Sequence, residues 1–416
     1  MNKLTVTKII KYNNQVIIDY EVEGEWKKFF NVREKYFTEY ERNIEDVPNS
    51  IAIIPFLSNV LPIVWVADGV VIIDEIDKTF NESIENIKKG YIGMFPNISF
   101  KGRVKSKKII NNEYEDTNKC LTFFSGGVDS FSTLISHIKE KPQLVTIWGS
   151  DIMLEDFVGW DIVKNQVIDV SNQFSISKNL IKTNFRTFIN TSELSMLVED
   201  KAKDNWWHGF QHGIGIIGQA APIAYLEKCN KIYIAASYSI KNPVKPCASD
   251  PEIDNEFKFA NCKVYHDQYE LNRLEKIKII ADYAEENKKN LVIRVCWEST
   301  GGKNCCRCEK CYRTIYELLA CGVDPNKYGF VYDATVNREI KKFIMFKKIL
   351  PLPLRPFWKE IQDEFTKKSE EYKNNKEYKW IYKMNVKKGN NNFYKKIRAV
   401  LGKIKRKVKE KVFYKK

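Results

Sequence analysis

Six consecutive residues, Ser125-Gly126-Gly127-Val128-Asp129-Ser130, combine residue types and spacing suited to holding a phosphate chain. The apolar run Leu121-Thr122-Phe123-Phe124 leads straight into them and a helical pattern follows. Two glycines let the backbone turn sharply and bring bare N–H groups close to an anion. The first turn of the helix adds unpaired N–H groups and the positive end of its dipole. Both serine hydroxyls can donate to phosphate oxygens, and Asp129 can orient Mg²⁺ or cap the helix. No Gly-Lys-Ser/Thr follows, which sets the loop apart from that of kinases and GTPases. The plain alternative is a Gly-Gly turn capped by serine or aspartate.

A second constellation is Cys296, Cys305, Cys308 and Cys311, spaced Cys-x8-Cys-x2-Cys-x2-Cys. Two consecutive x2 intervals form a tight knuckle, and Cys296 at the end of an expected strand would close a tetrahedron. Four thiolates with no open position describe a structural Zn²⁺ site, with an iron–sulfur cluster as the chemical alternative. Lys303, Arg307 and Lys310 would offset part of the negative charge. Cys306 lies within the knuckle and is expected to point away.

The loop resembles the SGGxDS signature of the PP-loop ATP pyrophosphatases. That family holds ATP on a doubly wound sheet and releases pyrophosphate, leaving an adenylated substrate for a nucleophile. With the cysteine spacing added, the chain resembles the 7-cyano-7-deazaguanine synthases, whose zinc knuckle follows the last strand of the same domain and which turn a deazaguanine carboxylate into a nitrile. The resemblance spans roughly residues 119 to 325. It implies that Ser125, Gly126, Gly127, Val128, Asp129 and Ser130 hold ATP with Mg²⁺, that Asp129 and Ser130 take part in catalysis, and that the four cysteines hold Zn²⁺. Trp148-Gly149-Ser150-Asp151-Ile152 replaces the family's Gln-Arg/Lys-His segment, and the loop from Ser237 to Glu252 also differs. ATP use therefore carries over, and the deazaguanine does not. A divergent relative is expected, an ATP-dependent ligase acting on a small carboxylate.

Three weaker candidates accompany these. His208 and His212, two of four histidines, stand at i and i+4 beside Trp206 and Trp207. They could do acid–base or substrate-contact work, or simply begin a helix packed by tryptophan. Asp250 and Glu252 lie on the loop after the fourth strand and could hold Mg²⁺ or substrate, or form a plain turn at Pro251. Cys247 in that loop has the chemistry of a nucleophile, although a lone cysteine is more often inert. The glutaminase nucleophile of related amidotransferases would stand at position 2; Asn2 stands there, so a nitrogen donor would be ammonia, an amine or a partner's product.

The elements that must position these groups read as three regions. Residues 1–117 form a β-rich domain whose apolar window, Ile51 to Ile73, reads as two buried strands because Pro55, Ser58, Asn59, Pro62 and Asp68 oppose a membrane span. Residues 118–330 alternate strand and helix, with strands expected at Leu121–Phe124, Leu144–Trp148, Leu180–Thr183, Lys231–Ala236 and Leu291–Cys296. This predicts an α/β fold with a parallel sheet, and the resemblance implies that the sheet is doubly wound, of the PP-loop or HUP-like type. Residues 331–416 form a basic helical extension.

Of the net charge of +15, residues 341–416 carry +18, from 25 Lys and Arg against 7 Asp and Glu. The body is close to neutral, so its charge does not mark it as a nucleic-acid binder. Phe393, Ile397, Val400, Leu401, Ile404, Val408 and Val412 recur at helical spacing among these cations. Residues 390–416 could therefore dock on anionic membrane lipid or on RNA, or remain a solvated tail. A small-molecule substrate and a homodimer complete the expected partners. No N-terminal signal is apparent, and clustered cysteines suit a reducing compartment, so the cytoplasm is expected, peripheral at a membrane surface if the tail docks on lipid. The competing functions are an RNA-modifying PP-loop enzyme and a nucleotide-binding zinc scaffold without turnover.

Overall fold

A computed structural model describes residues 2–31, 33–241, 246–296, 302–368 and 370–389. The basic stripe expected at 390–416 lies outside the described residues. The chain divides into two compact units, residues 1–272 with 300–303, and residues 273–299 with 304–416.

The first unit is α/β, built on an 11-stranded sheet. Its strands are β1 Asn2–Tyr12, β2 Gln15–Glu23, β3 Tyr36–Glu39, β4 Gly69–Asp77, β5 Arg103–Ile110, β6 Cys120–Phe123, β7 Gln143–Trp148, β8 Lys178–Thr183, β9 Lys231–Ala235, β10 Lys258–Phe259 and β11 Cys262–Asp267. They lie in the order β10-β11-β9-β6-β7-β8-β3-β2-β1-β4-β5. From β11 to β8 every pairing is parallel. The chain starts this part at β6, steps outward through β7 and β8, then returns to the other side of β6 as β9. The order thus reverses at β6, the kind of position beside which open α/β sheets carry ligand crevices.

The expected boundary near residue 117 falls within this unit. β3 pairs antiparallel with β8, Thr38 opposite Thr183 and Glu39 opposite Lys182. Tyr36, Thr38 and Thr183 share a buried hydrogen-bond network with Gln219 across that junction. β1–β3 are antiparallel, and β4 and β5 extend the sheet in parallel.

The apolar window is not two strands. Ile54–Val66 is a helix and only Gly69–Asp77 is a strand. The helix is buried on nearly every side, so its sequence lacks the polar stripe that reveals helical period. Pro55 sits in the first turn, where its missing N–H costs nothing, and Pro62 is tolerated further in. Ser58 and Asn59 satisfy their side chains on the carbonyls of Ile54 and Pro55. Among the described residues no helix is long and apolar enough to cross a membrane.

In the second unit, Leu291–Cys296 is not the expected fifth strand. Its backbone is satisfied otherwise: Ile293 donates to the Tyr328 carbonyl, and the Asn304 side chain bonds both Val295 N–H and the Ile293 carbonyl. The place beside β9 belongs to β11. Helices Arg273–Glu286, Glu309–Ala320, Ala334–Lys342 and Arg355–Thr366 form the unit's body. Tyr316, Trp358, Phe365 and Trp380 are its buried aromatic core. Residues 331–389, expected as the start of a tail, contribute three of those four rings. Buried charges are paired: Arg273 with Glu317, and Arg313 with Glu309, which also accepts from the Trp358 indole.

Candidate functional site

The phosphate-type loop follows β6 and enters the helix Val128–Ser136. Phe124 continues the strand by donating to the Val145 carbonyl and accepting from Thr146 Oγ1. Gly126 adopts φ +75°, a left-handed conformation that favours glycine, and a β-carbon there would stand 2.8 Å from the Gln166 side chain. Ser130 Oγ accepts from Ser125 N–H at 3.3 Å, donates to the Gly127 carbonyl at 3.2 Å and lies 3.3 Å from Ser125 Oγ. Ser130 therefore holds the loop's shape, while exposed Ser125 and half-buried Gly127 and Asp129 present its surface. Gly127 is the N-cap, and Asp129 stands in the first turn of the helix, where a carboxylate complements its dipole. Among the described residues, the amides of Gly126, Gly127 and Val128 donate to no backbone carbonyl. That donor set fits an anion.

Loops after the other parallel strands gather at the same edge of the sheet. After β7, Gly149 takes φ +103° where a β-carbon would lie 1.9 Å from the Thr183 carbonyl oxygen. Asp151 follows, close enough to act electrostatically on Arg186 and His212. Arg186, after β8, bonds the Ser150 carbonyl at 2.9 Å and lies over the Trp207 ring at 4.0 Å.

His208 sits on a π-helical turn, Trp207–Gln211, and His212 begins the helix His212–Gly218 that follows it. Such turns are rare and are frequent at functional sites. The N-terminal residues brace it. Tyr91 OH donates to the Phe210 carbonyl, Phe95 stacks on Phe210, and Asn59 accepts from Gln211. Gly215 and Gly218 let the helix Ile54–Val66 approach through Asn59 and Ser58.

Cys247 meets this turn. Ala248 N–H donates to the His208 carbonyl at 2.8 Å, and a β-carbon on Gly213 would stand 2.1 Å from the Ala248 carbonyl oxygen. This contact brings Cys247 Sγ to 4.0 Å from His212 Nδ1. His208 Nδ1 pairs with Asp204 at 2.5 Å and its Nε2 lies 3.3 Å from Tyr238 OH. The Asp204 carboxylate, with the Cys247 sulfur second, raises the His208 imidazole to about 10. Burial pushes the Cys247 thiol up, but hydrogen bonds from His208 and His212 outweigh it and bring the thiol down to about 6. His212 is raised: its burial opposes the charged form, and the Cys247 sulfur overcomes it.

Asp250 stands three residues beyond Cys247. It caps the short helix Pro251–Asp254, accepting from Glu252 N–H, and burial raises its carboxyl. Next to it, buried Asp254 accepts from Ser249 and His266. The sequence singled out His208 and His212 as a pair and Cys247 separately, and did not join the cysteine to the histidines; it missed Asp204, Tyr238 and Arg186. The available signal was Asp204-x3-His208, one helical turn apart.

In the second unit the sulfurs of Cys296, Cys305, Cys308 and Cys311 all lie within 4.8 Å of one another. Cys296 and Cys308 approach to 3.8 Å, and Cys305 and Cys311 to 3.9 Å. Cys308 is the N-cap of the helix Glu309–Ala320 and accepts from Cys311 N–H. Hydrogen bonds from the Cys311 thiol and then its N–H lower the Cys308 thiol to about 5, despite burial. Cys306, at φ +50°, turns its sulfur to Val331 N–H and the Asn304 carbonyl, away from the four. The knuckle can hold a metal ion, and four converging sulfurs fit Zn²⁺. Among the described residues no other group of His, Cys, Asp or Glu converges in this way.

Comparison of the chain with protein-family models, with curated proteins and with solved structures returns no match.

Proposed function

We propose that this protein is an ATP pyrophosphatase of the PP-loop type that activates a small carboxylate as its adenylate and passes the acyl group to ammonia or an amine. The observation that carries this reading is the position of Ser125–Ser130. The loop leaves β6, the strand at which the parallel order reverses, and its glycine amides lead directly into a helix N-terminus. In this reading the parallel part of the sheet is doubly wound. Gly126, Gly127 and Val128 amides and Ser125 Oγ would bind the pyrophosphate moiety, Ser130 would hold the loop that presents them, and Asp129 would orient Mg²⁺. A carboxylate oxygen is a poor leaving group and AMP a good one, so binding energy spent on pyrophosphate lowers the difficult step. Zn²⁺ in the four-cysteine knuckle would be structural, since no ligand position remains open.

The test is to incubate the full chain with ATP, Mg²⁺ and a panel of heteroaromatic acids that includes a deazaguanine carboxylate. Acid-dependent release of AMP and pyrophosphate is expected. Release of ADP and phosphate, or of nothing across the panel, would overturn the reading.

A further inference from the structure

We propose that Cys247 is the acyl acceptor of this site, taking the acyl group from the adenylate as a thioester before the final amine receives it; this rests on the adenylation reading above. The geometry carries it. The sulfur faces His212 Nδ1 at 4.0 Å and the His208 imidazole acts on the same atom. Asp204 orients His208, in the order carboxylate, imidazole, thiol that activates nucleophilic cysteines. The contact is built into the backbone, through Ala248 N–H on the His208 carbonyl and through Gly213, which lacks the β-carbon that would separate the segments. A thiol packed only as an apolar group would not need two imidazoles and a carboxylate around it. Cys229 and Cys262 of this unit are buried like Cys247, but no imidazole is among the groups that act on them, and burial raises both thiols.

Cys247 lies on the loop after β9 and the phosphate-type loop after β6, adjacent parallel strands that present both at one edge of the sheet. In the transfer, the thiolate sulfur bonds to the carbonyl carbon and the bond from that carbon to the AMP oxygen breaks. AMP departs with the electron pair, and no proton is required of the leaving group. The amine then attacks the thioester carbon, the carbon–sulfur bond breaks, the thiolate returns to its imidazolium partners and the amine's proton goes to solvent. His208 is a positioning residue for the thiolate. Among the described residues, the charged or titratable groups shown acting on this cluster are Asp204, His208, His212, Tyr238, Asp151 and Tyr91.

Two measurements test it. The first needs no substrate: the thiolate ultraviolet absorbance of wild-type protein minus that of Cys247→Ser is titrated from about pH 5 to about pH 9. A step near pH 6 is expected, and His208→Asn should move it up by about one unit or more. Absence of any step below about pH 8, where ordinary thiols begin to ionise, would overturn the proposal. In the second, wild-type protein is mixed with ATP and each acid of the panel, and intact mass is read. A hydroxylamine-labile acyl adduct on the Cys247 peptide is expected, with loss of amide product in Cys247→Ala. Pyrophosphate release without that adduct, with Cys247→Ala still forming product, would remove the acyl acceptor and leave adenylation standing. Absence of pyrophosphate release with every acid would remove adenylation and this transfer with it, whatever the absorbance step shows.

Discussion

The hydrogen of Gly213 points where a β-carbon would stand 2.1 Å from the carbonyl oxygen of Ala248. One missing methyl group thus fixes how closely the cysteine loop approaches the histidine turn. Gly213→Ala is expected to force the segments apart, at a cost of about 1–3 kcal/mol typical of overpacking. Urea denaturation would measure the cost. The Cys247 thiolate step should also move toward higher pH, because its imidazole partners recede; a stability loss with no change in that step would separate packing from the thiol.

Gly126 makes a second demand on backbone freedom. Alanine there must hold φ +75° and meet the Gln166 amide, for which about 1–2 kcal/mol is the usual left-handed penalty. Nucleotide affinity, read by titration calorimetry with a non-hydrolysable ATP analogue, should fall far more than thermal stability. Ser130→Ala should do the same by releasing Ser125 N–H and the Gly127 carbonyl. Unchanged affinity in both variants would show that this loop is not the nucleotide's cradle.

The knuckle gives a metal prediction. Elemental analysis should find one zinc per chain, and a strong chelator should lower the melting temperature. Cys308→Ser should release the metal, whereas Cys306→Ser should keep it, because Cys306 faces Val331. Equal zinc in wild type and Cys308→Ser would reject the four-sulfur site.

His137 bridges Glu140 and Asp267, both at 2.9 Å, and stacks on Tyr233. Burial favours its neutral form, but hydrogen bonds that the ring donates to Asp267 and Glu140 outweigh it and raise its folded-state value. A raised folded value contributes stability fully below the unfolded value of about 6.5, lost as pH rises through the folded one. His137→Gln should therefore be less stable than wild type most clearly near about pH 5.5–6, the gap narrowing above neutrality. A gap that is constant across pH would mean the ring acts by stacking alone.

The parts legible in the sequence were those written in adjacent residues. Ser125–Ser130 lies between a strand and a helix as its order implied, and four cysteines at fixed intervals converge. Where a segment was buried all round, as Ile54–Val66 is, periodicity vanished and a helix passed for strands. Leu291–Cys296 alternates like a strand, yet the Asn304 side chain supplies the bonds a neighbouring strand would have made. The cluster of Asp204, His208, His212 and Cys247 was illegible as a unit because it spans more than forty positions and depends on a glycine contact. Likewise, nothing local revealed that residues 54–66 and 91–95 buttress the π-turn that carries His208 and leads into His212.

The pairing of β3 with β8 bears on self-association. In an isolated five-stranded parallel sheet, β8 would be a bare margin inviting the same strand of a second copy. Here the chain has already filled that margin with its own N-terminal strands, so the sheet ends elsewhere. One end is β10, two residues long; the other is β5, studded with Arg103, Lys105, Lys107 and Lys108. Short margins and like charges both discourage zipping of one molecule onto another. Edge-to-edge pairing of two copies is therefore disfavoured among the described strands, and truncation ahead of β6 should expose β8 and promote aggregation, read by light scattering.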